Sequence, residues 1–403
     1  MQIKVGIGVV FLAAATVAGP APAAAAALEL KQALLGHGPW PAGSGRDASN
    51  RVSGQTAAVE FGYRMFREPR MSANGYIACI SCHQTDRAFT DAIPRAQGLA
   101  PVGRNTPMLA NLRDLPWYGW DGASDSLWMA SLRPMLDARE FGSDPARVAH
   151  VVRVGDGLAC RYRQAFGSSA GSHDDVTVMV NVAKAIAAFV ETLNTGRTPF
   201  DEFRDALASG DVARAARYPL AAQRGALLFV GKGGCAACHA GPHFSDAAFH
   251  RSGSIRSPGG DLADDGRPGG LAEWRRSPYK RLGRFSDLAP SARPEPARLH
   301  ESAPAARHGH FRTPPLRNVA LTPPYMHDGS VNTLFEAVGH PAVPGTQLGP
   351  LPAAAVSEDK RADKRADDKH DDDQRDLVAF LETLTDGLGA ARRFPPRPPS
   401  PCP

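Results

Sequence analysis

Cys79-Ile80-Ser81-Cys82-His83 is a pentapeptide with a counterpart later in the chain, Cys235-Ala236-Ala237-Cys238-His239. Both have the pattern C-x-x-C-H, the attachment signal for a c-type haem. Two thiols at this spacing can bond to the two vinyl groups of one haem, and the histidine that follows supplies the proximal iron ligand. The chain therefore predicts two covalently bound haems c. The predicted attachment and ligand residues are Cys79, Cys82, His83, Cys235, Cys238 and His239.

Two other uses of paired cysteines explain the sequence less well. In a zinc site with two Cys-x-x-Cys pairs, the second pair normally follows the first after roughly 15–20 residues. Here Cys79 and Cys235 are 156 residues apart, and each pair has its own adjacent histidine. A thiol–disulfide redox pair would not require that histidine. Two complete motifs in one chain favour haem attachment at both.

Length and composition limit the classes of protein to which the chain can belong. Its 403 residues are enough for two or three domains, and a hydrophobic content of 43% allows a substantial core. The formal net charge of +5 is small for this length, and no Lys/Arg stripe is interleaved with aromatic residues. We therefore expect no nucleic-acid partner.

Two cysteines lie outside the haem motifs. Cys160 falls within an apolar, helix-like pattern and is interpreted as a buried small hydrophobic residue. Cys402 lies in a proline-rich tail and receives no role. A disulfide between the two remains an open alternative.

The N-terminal segment has the pattern of a secretory signal peptide. Lys4 provides a positive start, an apolar run covers residues 5–17, and alanines at 23–27 offer A-x-A cleavage sites. We predict cleavage near Ala25–Ala27 and a periplasmic location, because bacterial c-type haems are attached outside the cytoplasmic membrane. The run is too short for a stable membrane span, and a retained N-terminal anchor is the alternative.

Helical spacing of apolar residues dominates the rest of the chain, and strand-like alternation is scarce. Helices are predicted at Thr56–Phe66, Ser126–Leu136, Pro145–Val152, Val176–Leu193 and Gln374–Leu384. The last of them presents one apolar face, formed by Leu377, Phe380, Leu381 and Leu384.

A faint repeat precedes the two haem motifs, at Gly62–Phe66 and Gly225–Phe229. The Gly/Pro/Arg-rich stretch 251–311 is interpreted as a loop. The charge run Ser357–Asp373 is low in apolar residues and is predicted to be disordered.

With the segment Pro324-Tyr325-Met326-His327-Asp328-Gly329 and the two haem motifs, residues 57–384 resemble the bacterial di-haem cytochrome c peroxidases. That family includes the methylamine-utilisation di-haem enzyme, which matures a tryptophan-derived quinone in a partner protein. The resemblance implies a mainly α fold of two cytochrome c-like haem domains packed together, with long irregular loops. The predicted division is a signal peptide (1–27), an N-terminal arm (28–54), an N-terminal peroxidatic domain (55–215), a C-terminal electron-transfer domain (216–390) with a disordered insertion (355–373), and a disordered tail (391–403).

The resemblance also implies roles at the N-terminal haem. His83 would be its proximal ligand, and the stretch 84–104 contains no histidine to cap the other face. Trp120, in the element Trp120-Asp121-Gly122, would lie between the haems and carry electrons. Glu140 would be the distal carboxylate that moves a proton between the peroxide oxygens.

One departure from the family concerns the distal glutamine, which usually precedes that carboxylate by ten residues. The same register here gives Ala130. Alanine has no polar group to hold peroxide, which weakens the expectation of efficient peroxidase turnover.

At the C-terminal haem, His239 would be the proximal ligand of the electron-accepting site. The second axial ligand follows the segment Thr333–Val338, where the register falls on Pro341. Proline cannot coordinate iron, so the adjacent His340 is a candidate iron ligand, and Met326 is another. The resemblance further implies one calcium ion between the haems, bound through Asn105, Thr322 and Pro324.

The sequence thus predicts an oxidoreductase that reduces hydrogen peroxide. Electrons from a small cytochrome c or cupredoxin would reach the C-terminal haem and pass by Trp120 to the N-terminal haem. The alternatives are an oxidase that modifies a partner protein and a non-catalytic di-haem electron carrier. By analogy with the family, the chain is a candidate homodimer.

Overall fold

The computed structural model describes residues 22–42, 45–113, 115–251, 264–289, 291, 308–339, 360–387 and 402. These residues are mainly helical. The α-helices are α1 (Pro22–Leu35), α2 (Thr56–Phe66), α3 (Cys79–Cys82), α4 (Leu127–Leu136), α5 (Pro145–Val154), α6 (Leu158–Phe166), α7 (Asp175–Val190), α8 (Pro199–Ser209), α9 (Val212–Ala215), α10 (Leu220–Val230), α11 (Arg267–Arg276), α12 (Leu334–Val338) and α13 (Lys360–Glu382). Two short strands, β1 (Phe249–Arg251) and β2 (His310–Arg312), pair antiparallel.

Capping side chains explain where four of the helices begin. Ser126, Asp144, Asp174 and Thr198 precede α4, α5, α7 and α8, and each accepts a hydrogen bond from a backbone N–H in the first turn. The four helices predicted between residues 56 and 193 are confirmed, with ends that differ by three residues at most.

The first hydrophobic core forms where α2 crosses α7. Gly62 permits this crossing, because a Cβ at this position would lie 1.9 Å from the carbonyl oxygen of Ala185. Phe61, Met65 and Phe189 are buried around the crossing. Helices α4, α5 and α6 contribute to the same core.

The second core forms where α10 crosses α13 in the same manner. A Cβ on Gly225 would lie 1.9 Å from the carbonyl oxygen of Asp376. The predicted apolar face of α13 is confirmed, because all four of its members are buried: Leu377, Phe380, Leu381 and Leu384. The faint repeat before each haem motif is therefore part of a repeated helix crossing, and the fold is mainly helical with two cytochrome c-like halves.

Helix α8 packs in the second half although it precedes the predicted boundary at residue 216. Its Phe200 and Phe203 belong to the second core. The sequence showed no signal for this, because both aromatic residues also fit a helix of the first half. The domain bounds themselves stay predictions.

The N-terminal arm contains a helix that was not predicted. Helix α1 is rich in Ala and Leu, which favour helix, and Leu34 near its end is buried in the second core. The imidazole of His37 then stacks on Phe244, with ring centroids 4.6 Å apart. Of the predicted signal peptide, only residues 22–27 lie within the described part of the chain.

Two further expectations about irregular segments are wrong in part. The stretch 251–311 contains α11, which tolerates Pro268 in its first turn and buries Leu271 and Trp274. The charge run is helical from Lys360 onward, where α13 begins. Charged residues can pair along such a helix, and Arg375 Nη1 lies 3.0 Å from Asp372 Oδ1.

The two cysteines outside the haem motifs form a disulfide, with the Cα atoms of Cys160 and Cys402 5.7 Å apart. The interpretation of Cys160 as a buried small hydrophobic residue is therefore wrong, and the open alternative of a disulfide is correct. Arg161 Nη2 also donates a hydrogen bond to the carbonyl oxygen of Cys402 over 3.4 Å.

Among the described residues, none of the helices combines the length and the apolar character that a membrane crossing requires.

Candidate haem sites

The first haem motif occupies the one-turn helix α3 and the residue that follows it. His83 Nδ1 lies 2.9 Å from the carbonyl oxygen of Phe89. Burial lowers the pKa of His83, so its imidazole is neutral near pH 7. An imidazole that donates its Nδ1 proton to a carbonyl leaves Nε2 free to bind a metal. His83 therefore has the tautomer that an iron ligand needs.

The second motif repeats this arrangement. His239 Nδ1 lies 2.9 Å from the carbonyl oxygen of Phe244, and burial also lowers the pKa of His239. The acceptor residues Phe89 and Phe244 both have positive φ angles, of 61° and 54°, which turn their carbonyl groups toward the imidazoles.

A longer repeat supports both motifs, and sequence reasoning missed it. Thr106-Pro107-Met108-Leu109-Ala110-Asn111 corresponds to Thr313-Pro314-Pro315-Leu316-Arg317-Asn318. The backbone N–H of Asn111 donates to Leu193 O over 2.8 Å, and that of Asn318 donates to Leu384 O over 3.0 Å. The acceptors lie in a second repeated pattern, Glu-Thr-Leu, at 191–193 and 382–384. Comparing these stretches of the sequence with each other would have revealed the two similar halves.

The thiols of the motifs lie in surroundings that suit thioether bonds. Burial raises the pKa of Cys79 to about 12, and it raises the pKa values of Cys82 and Cys235 to about 11. These thiols are neutral and poorly hydrated, as sulfurs directed at an apolar macrocycle would be. The donor set of two thiols and one neutral imidazole therefore fits a haem at each motif.

A cavity of about 340 Å³ lies beside the second motif. It is lined mainly by apolar atoms and brings together most of the predicted site residues. Its walls include His239, Cys235, Cys238, Trp120, Asn105, Thr322, Pro324 and Met326. The candidate ligand His340 and the neighbouring Pro341 lie outside the described residues.

Trp120 is fixed in the wall of this cavity by its ring and its backbone. Its indole Nε1 donates to Asn105 O over 2.9 Å. Its carbonyl oxygen accepts from the backbone N–H of Arg312 over 2.7 Å. The next residue, Asp121, pairs with Arg104, whose Nη1 lies 2.5 Å from Asp121 Oδ2.

Arg267 supports the same turn, and no sequence pattern pointed to it. Its guanidinium lies between two rings, 4.0 Å from the centroid of Trp117 and 4.1 Å from that of Phe249. Its Nη1 donates to Asp121 O over 3.2 Å and to Gly122 O over 2.6 Å. Burial lowers the pKa of Arg267 to about 10, so it is still a cation at neutral pH. A buried cation therefore holds the backbone beside Trp120.

Glu140 lies near the first haem motif. Its charge acts on the thiols of Cys79 and Cys82, and its carbonyl oxygen accepts from Leu99 N over 3.2 Å. The side chain is half-buried, and burial raises the pKa of its carboxyl. Its carboxylate accepts no hydrogen bond from another described residue. The predicted distal residue Ala130 packs against the first core from α4.

The predicted calcium ligands lie together on the cavity wall. Asn105 Nδ2 donates to Ile93 O over 3.0 Å. Its Oδ1 accepts no hydrogen bond from the described residues. Asn105, Thr322 and Pro324 supply oxygen atoms, which are the donors that Ca²⁺ prefers.

Comparison with known proteins agrees with this geometry. Residues 56–208 match the family described as di-haem cytochrome c peroxidase. The chain is 31% identical over 328 residues to the methylamine utilization protein MauG of Methylorubrum extorquens, covering 81% of this chain and 77% of that one. It is 28% identical over 284 residues to the cytochrome c551 peroxidase of Nitrosomonas europaea, covering 70% and 71%.

Among solved structures, the diheme peroxidase BthA from Burkholderia thailandensis has a similar fold. The TM-score is 0.61 at 21% identity, and the match covers 86% of this chain and 90% of that one. The repeated haem motifs, the repeated helix crossings and these likenesses agree with one another. The chain belongs to the di-haem cytochrome c peroxidase family, a family of peroxidase-type oxidoreductases that carry two haems c and whose members include MauG.

Proposed function

We propose that the protein is a periplasmic peroxidase that reduces hydrogen peroxide to water with electrons from a small redox protein, a cytochrome c or a cupredoxin. The balanced reaction takes one hydrogen peroxide, two protons and two electrons to two waters. The haem at Cys79–His83, when bound, supplies the iron that receives peroxide. The chain itself must hold peroxide, move its proton and conduct electrons between the two halves.

The observation that carries this proposal is the position of Glu140. It is a half-buried carboxyl beside the first haem motif, and burial raises its pKa, so it changes protonation state more readily near neutral pH than an exposed glutamate does. Such a group can take the proton from one peroxide oxygen and deliver it to the other. The outer oxygen then leaves as water.

Electron supply is proposed to begin at the second haem motif. His239 belongs to the C-terminal half, and Trp120 from the N-terminal half lines the same cavity. An indole that bridges the two halves is suited to pass electrons between them. The donor protein would dock on the C-terminal half.

The proposal is tested by steady-state assay of the di-haem protein with peroxide and a reduced cytochrome c. We expect Glu140→Gln to lower kcat/KM for peroxide by about 10²–10⁴-fold, because general acid–base catalysis is worth that much. The matched control is Glu202→Gln, which removes an exposed carboxylate paired with Arg197. Full activity in Glu140→Gln would remove Glu140 from the mechanism, and an inactive native protein with intact haems would favour a plain electron carrier.

A second candidate function is oxidation of residues on a partner protein. It is favoured by the lack of histidine in the stretch 84–104 and by the likeness to MauG. Peroxide consumption that depends on a protein partner, with new oxidised residues found in that partner by mass spectrometry, would support it. Consumption with reduced cytochrome alone would support the first candidate.

A calcium ion is also proposed to bind at Asn105, Thr322 and Pro324, beside the Trp120 indole. Removal of Ca²⁺ with a chelator should then slow electron transfer between the halves and leave both haems attached. An Asn105→Ala variant should mimic chelation. A metal analysis without calcium in the purified native protein would contradict this assignment.

A further inference from the structure

We propose that Arg133 is a second catalytic group at the N-terminal haem, and that its guanidinium hydrogen-bonds the outer oxygen of peroxide while Glu140 moves the proton. In this role it takes the place of the distal glutamine that the family has at Ala130. The inference rests on the proposed peroxidase function, which it deepens by naming the group that holds the substrate.

Arg133 has the right position on its helix. Ala130 and Arg133 are three residues apart on α4, so they share one face of that helix. Alanine occupies less space on that face than a longer polar side chain would. A long, flexible arginine one turn later can extend into that space.

Contacts from a second helix fix the guanidinium. Arg133 Nε donates to Glu273 Oε1 over 2.6 Å. Helix α11, which carries Glu273, packs closely on the turn that holds Trp120, because a Cβ on Gly270 would lie 2.4 Å from Asp121 O. Gly270 and Glu273 are three residues apart and so face the same way. Arg133 is thereby held next to the Trp120-Asp121-Gly122 turn.

Glu140 lies at the same end of α4. The chain after the helix folds back on its last turn, where Phe141 N donates to Pro134 O over 3.2 Å and Ser143 N donates to Met135 O over 2.9 Å. Arg133 and Glu140 are close enough for their charges to interact, since the Arg133 cation acts against the effect of burial on the pKa of Glu140. The Arg133 cation is thus close enough to both Glu140 and Asp121 for their charges to interact.

The guanidinium keeps donors for a ligand. Within the described part of the chain, only its Nε has a hydrogen-bond acceptor. Burial lowers the pKa of Arg133, but the carboxylates of Asp121, Glu273 and Glu140 more than offset this, so the group is a cation at every working pH. Its two charged Nη groups therefore remain available to a ligand.

The chemical role follows from the charge that develops as the O–O bond breaks. Glu140 accepts the proton of the inner oxygen and returns it to the outer oxygen, which leaves as water. Until that proton arrives, the outer oxygen gains negative charge, and a charge-assisted hydrogen bond from Arg133 stabilises it. The two electrons come from the reduced haem sites, which the small redox protein refills.

The test uses fluoride as a probe in the ferric di-haem protein at fixed pH. Fluoride binds open ferric haem and accepts hydrogen bonds from a distal cation, so its Kd reports on Arg133 without turnover. We expect Arg133→Leu to raise the fluoride Kd by about tenfold or more, and Arg133→Lys to raise it less. The control is Arg147→Leu, which removes an exposed arginine in the first turn of α5. It should change the Kd by less than about twofold.

Kinetics provide the second measurement. Arg133→Leu should lower kcat/KM for peroxide by about 10²–10³-fold, as loss of one transition-state donor does. Adding Ala130→Gln to that variant should restore part of the rate. If Arg133→Leu does not fold, Glu273→Gln keeps the arginine and loosens its position, and it should raise the fluoride Kd by a smaller factor.

The outcomes separate the two proposals. If Arg133→Leu raises the fluoride Kd but the native protein reduces no peroxide, the proposed position of Arg133 is supported and the peroxidase function is contradicted. Normal turnover with an unchanged Kd in Arg133→Leu would overturn the role of Arg133 alone. A native ferric protein that binds no fluoride would also overturn it, because no ligand could then reach the guanidinium at the iron.

Discussion

The indole Nε1 of Trp120 donates a hydrogen bond to the backbone carbonyl of Asn105 over 2.9 Å. Asn105 in turn donates its backbone N–H to His327 O over 2.8 Å, and His327 stacks on Phe311 with ring centroids 3.7 Å apart. Trp120 is thus connected through two hydrogen bonds to the C-terminal half. This connection makes the orientation of the indole depend on both halves of the molecule.

Trp120→Phe should slow electron transfer between the haems. Phenylalanine keeps most of the packing but is harder to oxidise and loses the bond to Asn105. We expect reoxidation of the reduced C-terminal haem by peroxide to slow by about tenfold or more, measured by stopped-flow absorbance. Fluoride affinity at the N-terminal haem should not change. Trp128→Phe, in the first core with its indole bonded to Ser49, is the control, and an equal effect there would refute a special role for Trp120.

Gly62→Ala and Gly225→Ala should each destabilise the fold. In both cases the new Cβ would meet a backbone carbonyl oxygen at 1.9 Å, so one helix must move away from the other. The expected loss in free energy of unfolding is about 1–3 kcal/mol or more, from chemical denaturation. Gly45→Ala, which has nothing within 4 Å of the new Cβ, should change it by less than about 0.5 kcal/mol. Equal stability of all three variants would show that the helices do not cross this closely.

The free energy of unfolding should decrease as the pH is lowered, because of His37. This buried imidazole stacks on Phe244, and burial lowers its pKa below 6.5 in the folded protein. As the pH falls below 6.5, the unfolded chain takes up a proton that the folded chain resists, so the free energy of unfolding decreases until the folded pKa is passed. His37→Phe should flatten the decline of the melting temperature between about pH 7 and pH 5. His150→Gln replaces an exposed histidine, and its melting temperature should decline as that of the native protein does. An unchanged slope in His37→Phe would contradict the burial of His37.

The disulfide between Cys160 and Cys402 should stabilise the folded chain. Cys402→Ser should lower the free energy of unfolding by about 2–4 kcal/mol, because the unfolded chain loses a cross-link. Cys160→Ser and the double variant should lose the same amount, since the second substitution breaks no further bond. If the losses from the two single variants add up in the double variant, the thiols are not joined. The haem content of each variant should be measured as well, to verify that the attachment cysteines are unaffected.

Several features of this protein followed from short stretches of sequence. The two C-x-x-C-H motifs predicted haem attachment because the chemistry needs only five adjacent residues. The apolar face at 377–384 predicted part of α13 because helical spacing is a local property. Helix α11 and the charged first part of α13 were missed, since composition alone favoured loop and disorder there.

The sequence alone determined which residues can bond to haem and which segments between residues 56 and 193 are helical, because both depend on neighbours along the chain. Only the tertiary structure decided that Cys160 joins Cys402, that α8 belongs to the second core, and that Arg133 bonds to Glu273. These relationships join segments that are distant along the chain. They arise when α2 crosses α7 and α10 crosses α13, since the burial of apolar side chains at those crossings brings such segments together.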